Sequence, residues 1–288
     1  MKDNLIFNEQ IVTIEELQTK PHARILNLTD IIPILISPDS GNSLQIAEDY
    51  SFLFDSSYSY PIIKGVPVVY PEYISKALIQ GGLALKYYDD PRIQYFLLSQ
   101  IKQRGEINAA SSNIHYQRHL FRMTEFVKDC KGLILDIGCD DVNIGSAIFS
   151  RKCEYIGLDP FAKSNDFRII GIGEFLPFKD SCVDNVLFNT SLDHILDYYQ
   201  AVKESFRVLK EGGLIIISTL LWSHDATLLK DSVHFHHFKS YEIYGVLNEF
   251  GFKVEDTKKF VYKNDGHRYG LYISARKNGS SGFRVYNV

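Results

Sequence analysis

Two acidic side chains stand where apolar runs end. In Leu133-Ile134-Leu135-Asp136-Ile137-Gly138-Cys139 an apolar stretch leads straight into Asp136, then into a glycine that lets backbone approach a bound molecule. The run Tyr155-Ile156-Gly157-Leu158-Asp159-Pro160 repeats the pattern, with Asp159 23 residues after Asp136. Ligands of open α/β sheets lie beyond the carboxyl ends of the strands, and a carboxylate there accepts hydrogen bonds from ribose hydroxyls. A plain strand-end turn is the structural alternative for both, and Pro160 restricts the chain's exit. No G-x-G-x-x-G follows the first strand, which argues against a dinucleotide site.

Histidine offers a second kind of chemistry, because its unperturbed pKa of about 6.5 suits a base for a hydroxyl or amine. His194 follows the apolar run Val183–Phe188, and three more histidines cluster in Val233-His234-Phe235-His236-His237-Phe238. Strand alternation places His234 and His236 on one face and His237 on the other. The cluster could line an acceptor pocket or bind a metal with Asp193 or Asp231; a hydrogen-bonded lid is the structural alternative, as a helix start is for His194. We take His194, His234 and His236 as catalytic candidates and assign no metal. His115 and Tyr116 either cover the site or pack a helix on the sheet.

The elements that must position these groups alternate. From Leu133 onward the pattern predicts strands at Leu133–Ile137, Cys153–Leu158, Phe167–Ile172, Val183–Phe188, Leu214–Thr219, Lys253–Val261 and Tyr269–Ala275. Between them lie helices at Asn143–Ser150, Asp197–Leu209, with Tyr198, Val202, Phe206 and Leu209 on one face, and Tyr241–Phe250. Gly212-Gly213 and Gly251 read as helix terminators. Such alternation implies a mostly parallel sheet covered on both faces. Upstream, a short helix at Ile14–Thr19 and a strand at Arg24–Leu28 precede a β-rich stretch, residues 31–71, whose clearest turn is Gly65. Helical patterns then follow around Ile74–Leu78, Ile93–Ile101 and Ser112–Lys128.

The most specific signal is an ordered series. Gly173-Glu174-Phe175-Leu176-Pro177-Phe178-Lys179-Asp180 is followed by Val183–Asn189, then Leu192-Asp193-His194-Ile195-Leu196-Asp197, then Phe206-Arg207-Val208-Leu209-Lys210-Glu211-Gly212-Gly213. This order resembles the class I S-adenosylmethionine-dependent methyltransferases, above all small-molecule enzymes with an E-x-L-P-F loop and an R-V-L-K-x-G-G helix end. The resemblance covers about half the chain. It implies a Rossmann-like α/β fold with a mostly parallel seven-stranded sheet, and S-adenosylmethionine as cofactor. The implied cofactor-binding set is Asp136, Gly138, Cys139 and Asp140 near the methionine part, Asp159 and Pro160 at the ribose, Gly173, Glu174 and Phe175 against the adenine, and Asn189 and Ser191 around the sulfonium. One departure stands out: Asp140 and Val142 replace two glycines of the family's G-x-G-x-G loop. Asp140 either pairs with the cofactor's α-ammonium or marks a drifted loop with weak binding, as in a non-catalytic methyltransferase-like subunit.

A second resemblance covers residues 31–71. Leu35-Ile36-Ser37-Pro38-Asp39-Ser40-Gly41, Tyr60-Pro61-Ile62 and Gly65-Val66-Pro67-Val68 are similar to a zinc-ribbon-like domain that accompanies several methyltransferases. Ser37, Ser40, Leu53 and Ser56 stand where its two C-x-x-C pairs are expected, so this unit is expected to be metal-free.

Composition bounds the rest. Hydrophobic residues make up 45% and charged residues 23% of 288, an ordinary globular balance. The formal net charge of -4 provides no general positive field for a phosphate backbone. The four cysteines, Cys130, Cys139, Cys153 and Cys182, show neither zinc spacing nor disulfide density. No run is apolar enough to span a bilayer and the start lacks a secretory layout, so a cytoplasmic address is expected. The expected organisation is a β-rich unit (1–71), a helical lid (72–130), a methyltransferase domain (131–277) and a tail (278–288). The expected function is methyl transfer from S-adenosylmethionine to O or N of a small molecule or glycan, without nucleic-acid or membrane partners and with no oligomeric state assigned. The alternatives are the non-catalytic subunit and modification of RNA or a translation protein.

Overall fold

The structure, a computed structural model, describes residues 10–72, 114–160, 168–223, 234–261 and 267–278. The chain opens with α1 (Ile14–Gln18), β1 (Arg24–Ile25) and α2 (Leu28–Ile31). Four short strands follow: β2 (Gln45–Ile46), β3 (Phe52–Phe54), β4 (Ser59–Ile63) and β5 (Val66–Pro67). They pair antiparallel in sequence order. The turn from β4 to β5 uses Lys64 (φ 53) and Gly65 (φ 80), the left-handed conformation that the glycine supplies without strain.

After α3 (Ile114–Phe126) the chain enters the main sheet with β6 (Gly132–Ile137), α4 (Val142–Ala147), β7 (Cys153–Asp159), β8 (Ile169–Ile170) and β9 (Val183–Asn189). It finishes with α5 (Tyr198–Val208), β10 (Leu209–Trp222), α6 (Ser240–Glu249), β11 (Phe252–Val261) and β12 (Arg268–Lys277). The strand order is β1-β7-β6-β9-β10-β12-β11, with β8 also on β7. The sheet is parallel except at β12, which runs antiparallel to both β10 and β11. The α/β alternation is thus present, and β6 to β12 make seven strands. An eighth, β1, comes from the front of the chain and pairs with β7 at Glu154 and Tyr155, beside the Leu158–Asp159 stretch that pairs with β8.

Because chain progress runs outward through β7 and β8, then returns to β9 on the other side of β6, the strand order reverses at β6. Ligands of open α/β sheets bind at such a reversal, here beyond the carboxyl ends of β6 and β9. Alternating side chains feed two cores. Leu135, Ile137, Ile156 and Phe188 join one, together with Leu35, Leu53 and Val69 from the front unit; Ile134, Tyr155 and Leu187 join the other, with Leu120 and Met123 of α3.

Three expectations are revised. Helix α5 ends at Val208 rather than at the glycines: Leu209 is already extended and paired with Val183, and Gly212 (φ 75) serves a register shift within β10. Its buried face is Ala201, Val202, Ser205 and Val208, with Tyr198 and Phe206 packed at the margin. Residues 234–239 form no strand, so alternation does not govern the histidines. The helical patterns at 74–78 and 93–101, most of the expected lid, Phe167, Asp231, Val233 and the tail from 279 lie outside the described residues.

Candidate functional site

Asp136 is buried near the end of β6, its side chain turned to the α3–α4 face. Its Oδ2 accepts the Tyr155 hydroxyl at 2.5 Å, and its Oδ1 has no partner among the described residues. Burial, reinforced by the charge of Asp159, pushes its pKa up to about 7 despite the Tyr155 hydrogen bond. Gly145 of α4 makes room for this pair: a Cβ there would stand 2.0 Å from the Tyr155 hydroxyl.

Beyond β6 the backbone turns sharply. Gly138 has φ 77 and lies so close to Ser191 that an added Cβ would be 2.5 Å from the Ser191 Cβ. Ser191 in turn donates its hydroxyl to the Ile137 carbonyl, tying the loop after β9 to the loop after β6. Asp140 has φ 48, the region a glycine would occupy and one that aspartate tolerates better than most residues. Its amide donates to Asp159 Oδ2 at 3.0 Å, and its carbonyl accepts from Arg168 Nη1. Asp141 caps α4 by accepting from the amides of Asn143 and Ile144. Val142 is fully buried and packs over Gly157, where a Cβ would meet Cys139 Sγ at 2.7 Å and Val142 Cγ2 at 2.9 Å. The two departures from the glycine pattern therefore leave the turn intact.

Asp159, nearly buried, ends β7 beside Pro160, whose carbonyl accepts the Tyr70 hydroxyl. The front unit thereby reaches the site. It also pairs Val69 N with Ile170 O at 2.7 Å and Ile36 N with Pro177 O at 3.0 Å. Within that unit the Ser37 hydroxyl lies 2.6 Å from the Tyr60 hydroxyl and accepts the Ser40 amide, while the Ser40 hydroxyl donates to Asp55. Hydroxyls and carboxylates tie this corner of the front unit together, and Leu53 is buried in the core.

The loop from Gly173 is fixed by α5. Gly173 packs under Ile137, 3.0 Å from where its Cβ would fall. Glu174 Oε1 accepts the Asp197 amide at 3.2 Å, and burial raises its pKa. Arg207 donates to the carbonyls of Leu176 (2.9 Å) and Phe178 (2.6 Å) while Glu204 accepts the Leu176 amide. The E-x-L-P-F and R-V-L-K segments thus belong together mechanically, as a loop and its clamp.

Three residues at the site escaped the sequence reading. Arg168 is almost fully buried, and its Nε and Nη2 have no partner among the described residues. His119 of α3 donates Nε2–H to Asn189 Oδ1 (2.8 Å) and accepts the Tyr272 hydroxyl at Nδ1 (2.6 Å). Burial drives its pKa down to about 4, so it is neutral, and with the Ser218 hydroxyl it fixes the Asn189 amide orientation. Tyr116 lies three residues before His119, stacked on it and within the field of Asp140, Asp141 and Asp136; that helical spacing was the available signal. Trp222, at the end of β10, stacks edge-on against His237 at 4.7 Å.

The histidines divide. Asp193 is buried, its carbonyl accepting the amides of Phe235 and His236, which pins the segment after β10 to the loop after β9. This brings the His194 and His234 rings into a stack at 4.6 Å, with their Nε2 atoms 4.0 and 3.9 Å from the two Asp193 oxygens. His236 instead donates Nε2–H to the carbonyls of Ile195 and Leu196 and packs on Tyr198 and Phe238. It does not join the cluster.

A family described as "Methyltransferase domain" matches residues 135–217. A probable S-adenosylmethionine-dependent methyltransferase of Mycolicibacterium smegmatis is 28% identical over 186 residues, 59% of this chain and 70% of that one. An uncharacterized protein of Methanocaldococcus jannaschii is 30% identical over 149 residues, 46% of this chain and 70% of that one. Among solved structures, the Burkholderia thailandensis 1,6-didemethyltoxoflavin-N1-methyltransferase, with S-adenosylhomocysteine bound, aligns with TM-score 0.48 at 14% identity, covering 78% of this chain and 98% of that one.

Proposed function

Because the chain belongs to the class I S-adenosylmethionine-dependent methyltransferases, we propose that it transfers the cofactor's methyl group to an oxygen or nitrogen of a small molecule, a glycan included. The observation that carries this reading is the buried Asp136 Oδ1, an acceptor with no donor among the described residues, one residue before the end of β6. An orphaned buried carboxylate oxygen is costly unless a ligand satisfies it. The α-ammonium of S-adenosylmethionine is a fitting donor.

In this reading Asp136, Gly138, Cys139 and Asp140 hold the methionine part, Asp159 and Pro160 the ribose, Gly173–Phe175 the adenine, and Asn189 and Ser191 the region of the sulfonium. The cofactor supplies, when bound, an electrophilic methyl group. What the protein contributes is position and exclusion of water. His119 holds Asn189 without adding charge, and Arg207 holds the adenine-facing loop. The acceptor is received at Asp193, His194 and His234, beyond the ends of β9 and β10. The non-catalytic alternative draws on the Gly138–Val142 loop and on the missing zinc-ligand positions; in the loop, Asp140 keeps the left-handed turn and Val142 buries on Gly157, so the loop does not favour it.

Isothermal titration with S-adenosylmethionine and S-adenosylhomocysteine tests the proposal. Saturable one-to-one heat and a rise in Tm are expected. No heat at high protein concentration together with an unchanged Tm would sink it.

A further inference from the structure

The geometry points to a divalent transition-metal site of the zinc type formed by Asp193, His194 and His234. Their ligand atoms lie within 4.8 Å of one another. The imidazole Nε2 to carboxylate distances of 4.0 and 3.9 Å are too long for hydrogen bonds, yet both nitrogens face the same carboxylate. Asp193 Oδ1 is buried and has no hydrogen-bond partner among the described residues. A cation between the three groups satisfies that oxygen and gives the convergence a cause.

Two imidazoles and one carboxylate are a recurrent catalytic zinc set, which keeps further positions open. Ligands about 2.1 Å from such an ion stand roughly 3.0–3.4 Å apart. The two imidazole–carboxylate spacings of 4.0 and 3.9 Å therefore have to shorten by about 0.5–1 Å, a matter of side-chain rotation. The backbone is already arranged for it: the Asp193 carbonyl holds the amides of Phe235 and His236 at 2.9 and 3.1 Å, which fixes the approach of His234 to His194. The ring stack at 4.6 Å and 27° sets the two imidazoles side by side with their Nε2 atoms toward the same carboxylate. His194 and His234 remain only 16% and 17% exposed, so an ion there would be largely shielded from water.

The inference rests on the methyltransferase reading only for its consequence. An ion in this place would ligate a hydroxyl of the acceptor and ease loss of its proton, which narrows the acceptor to a molecule in which a metal-binding hydroxyl is, or adjoins, the methylated atom.

The test is titration of chelator-treated full-length protein with Co(II) chloride, followed by visible absorption, with Zn(II) chloride as competitor. One equivalent of Co(II) is expected to give ligand-field bands far stronger than those of the aquo ion, and Zn(II) to erase them. The bands should vanish in His234→Gln and Asp193→Asn and persist in His237→Gln. Binding of S-adenosylhomocysteine by each variant shows that it is folded. Absent bands in protein that binds S-adenosylhomocysteine would overturn the metal site and leave the methyltransferase reading standing. Bands that survive His234→Gln, or that depend on His237, would also overturn it. Bands in protein that binds no S-adenosylhomocysteine would support the metal site and count against the methyltransferase reading alone.

Discussion

Tyr155 reaches across from β7 and donates its hydroxyl to Asp136 of β6, and both side chains are buried. The pair is the floor of the candidate cofactor site. Removing the donor leaves a buried carboxyl without compensation, so Tyr155→Phe is expected to cost about 1–3 kcal/mol. Urea denaturation at pH 8 checks this; a change below about 0.5 kcal/mol would show the bond to be dispensable.

The raised pKa of Asp136, about 7, gives a signed pH effect. The unfolded carboxyl has a pKa of about 3.9. Between those values the folded state keeps a proton that the unfolded state has released. Its contribution to stability is therefore full at low pH and is lost as pH rises to about 7. His119 acts oppositely: its pKa falls to about 4, and its contribution is lost as pH falls from about 6.5 toward that value. The two partly cancel in the natural protein. In Asp136→Asn the opposing Asp136 contribution is gone, so stability is expected to drop more steeply on acidification below about pH 6.5 than in the natural protein. Denaturation midpoints measured from pH 4 to 8 decide it.

The same proton should report on the cofactor. If the α-ammonium is held by Asp136, binding favours the carboxylate and releases a proton at pH 6. Titrations in buffers of different ionisation enthalpy are expected to show that release, and Asp136→Asn to abolish it. Equal proton release in the variant would place the ammonium elsewhere.

Gly138→Ala should fail for two separable reasons. The added Cβ meets Ser191, and φ 77 is strained for alanine by about 1–2 kcal/mol. Ser191→Gly is expected to relieve the contact but not the strain, so the double variant should recover stability only in part. Full recovery in a double-mutant cycle would show that φ does not matter here.

Arg207→Lys tests the clamp on the Gly173–Phe178 loop. Lysine cannot reproduce the paired donation to Leu176 O and Phe178 O. Weaker S-adenosylhomocysteine binding with a modest fall in Tm, roughly the 2–4 °C of a 1 kcal/mol loss, is expected. Unchanged affinity would assign Arg207 to stability alone.

The sequence by itself determined the alternation of elements, because apolar runs bounded by Asp136, Asp159 and the glycines are local patterns that local physics reads. It also determined the family resemblance, since the Glu174 loop and the Arg207 helix are each continuous segments. It misjudged the helix end at Gly212, where pairing of Leu209 with Val183 overrides a local stop signal. Tertiary structure alone decided the rest. Val142 is harmless only because Gly157, on the neighbouring strand, leaves space for it. His194 and His234 meet, and His236 does not, because one carbonyl of Asp193 accepts two amides from a segment about forty residues away. Such contacts depend on which strand ends adjoin at the reversal of the sheet, and no periodicity along the chain encodes that.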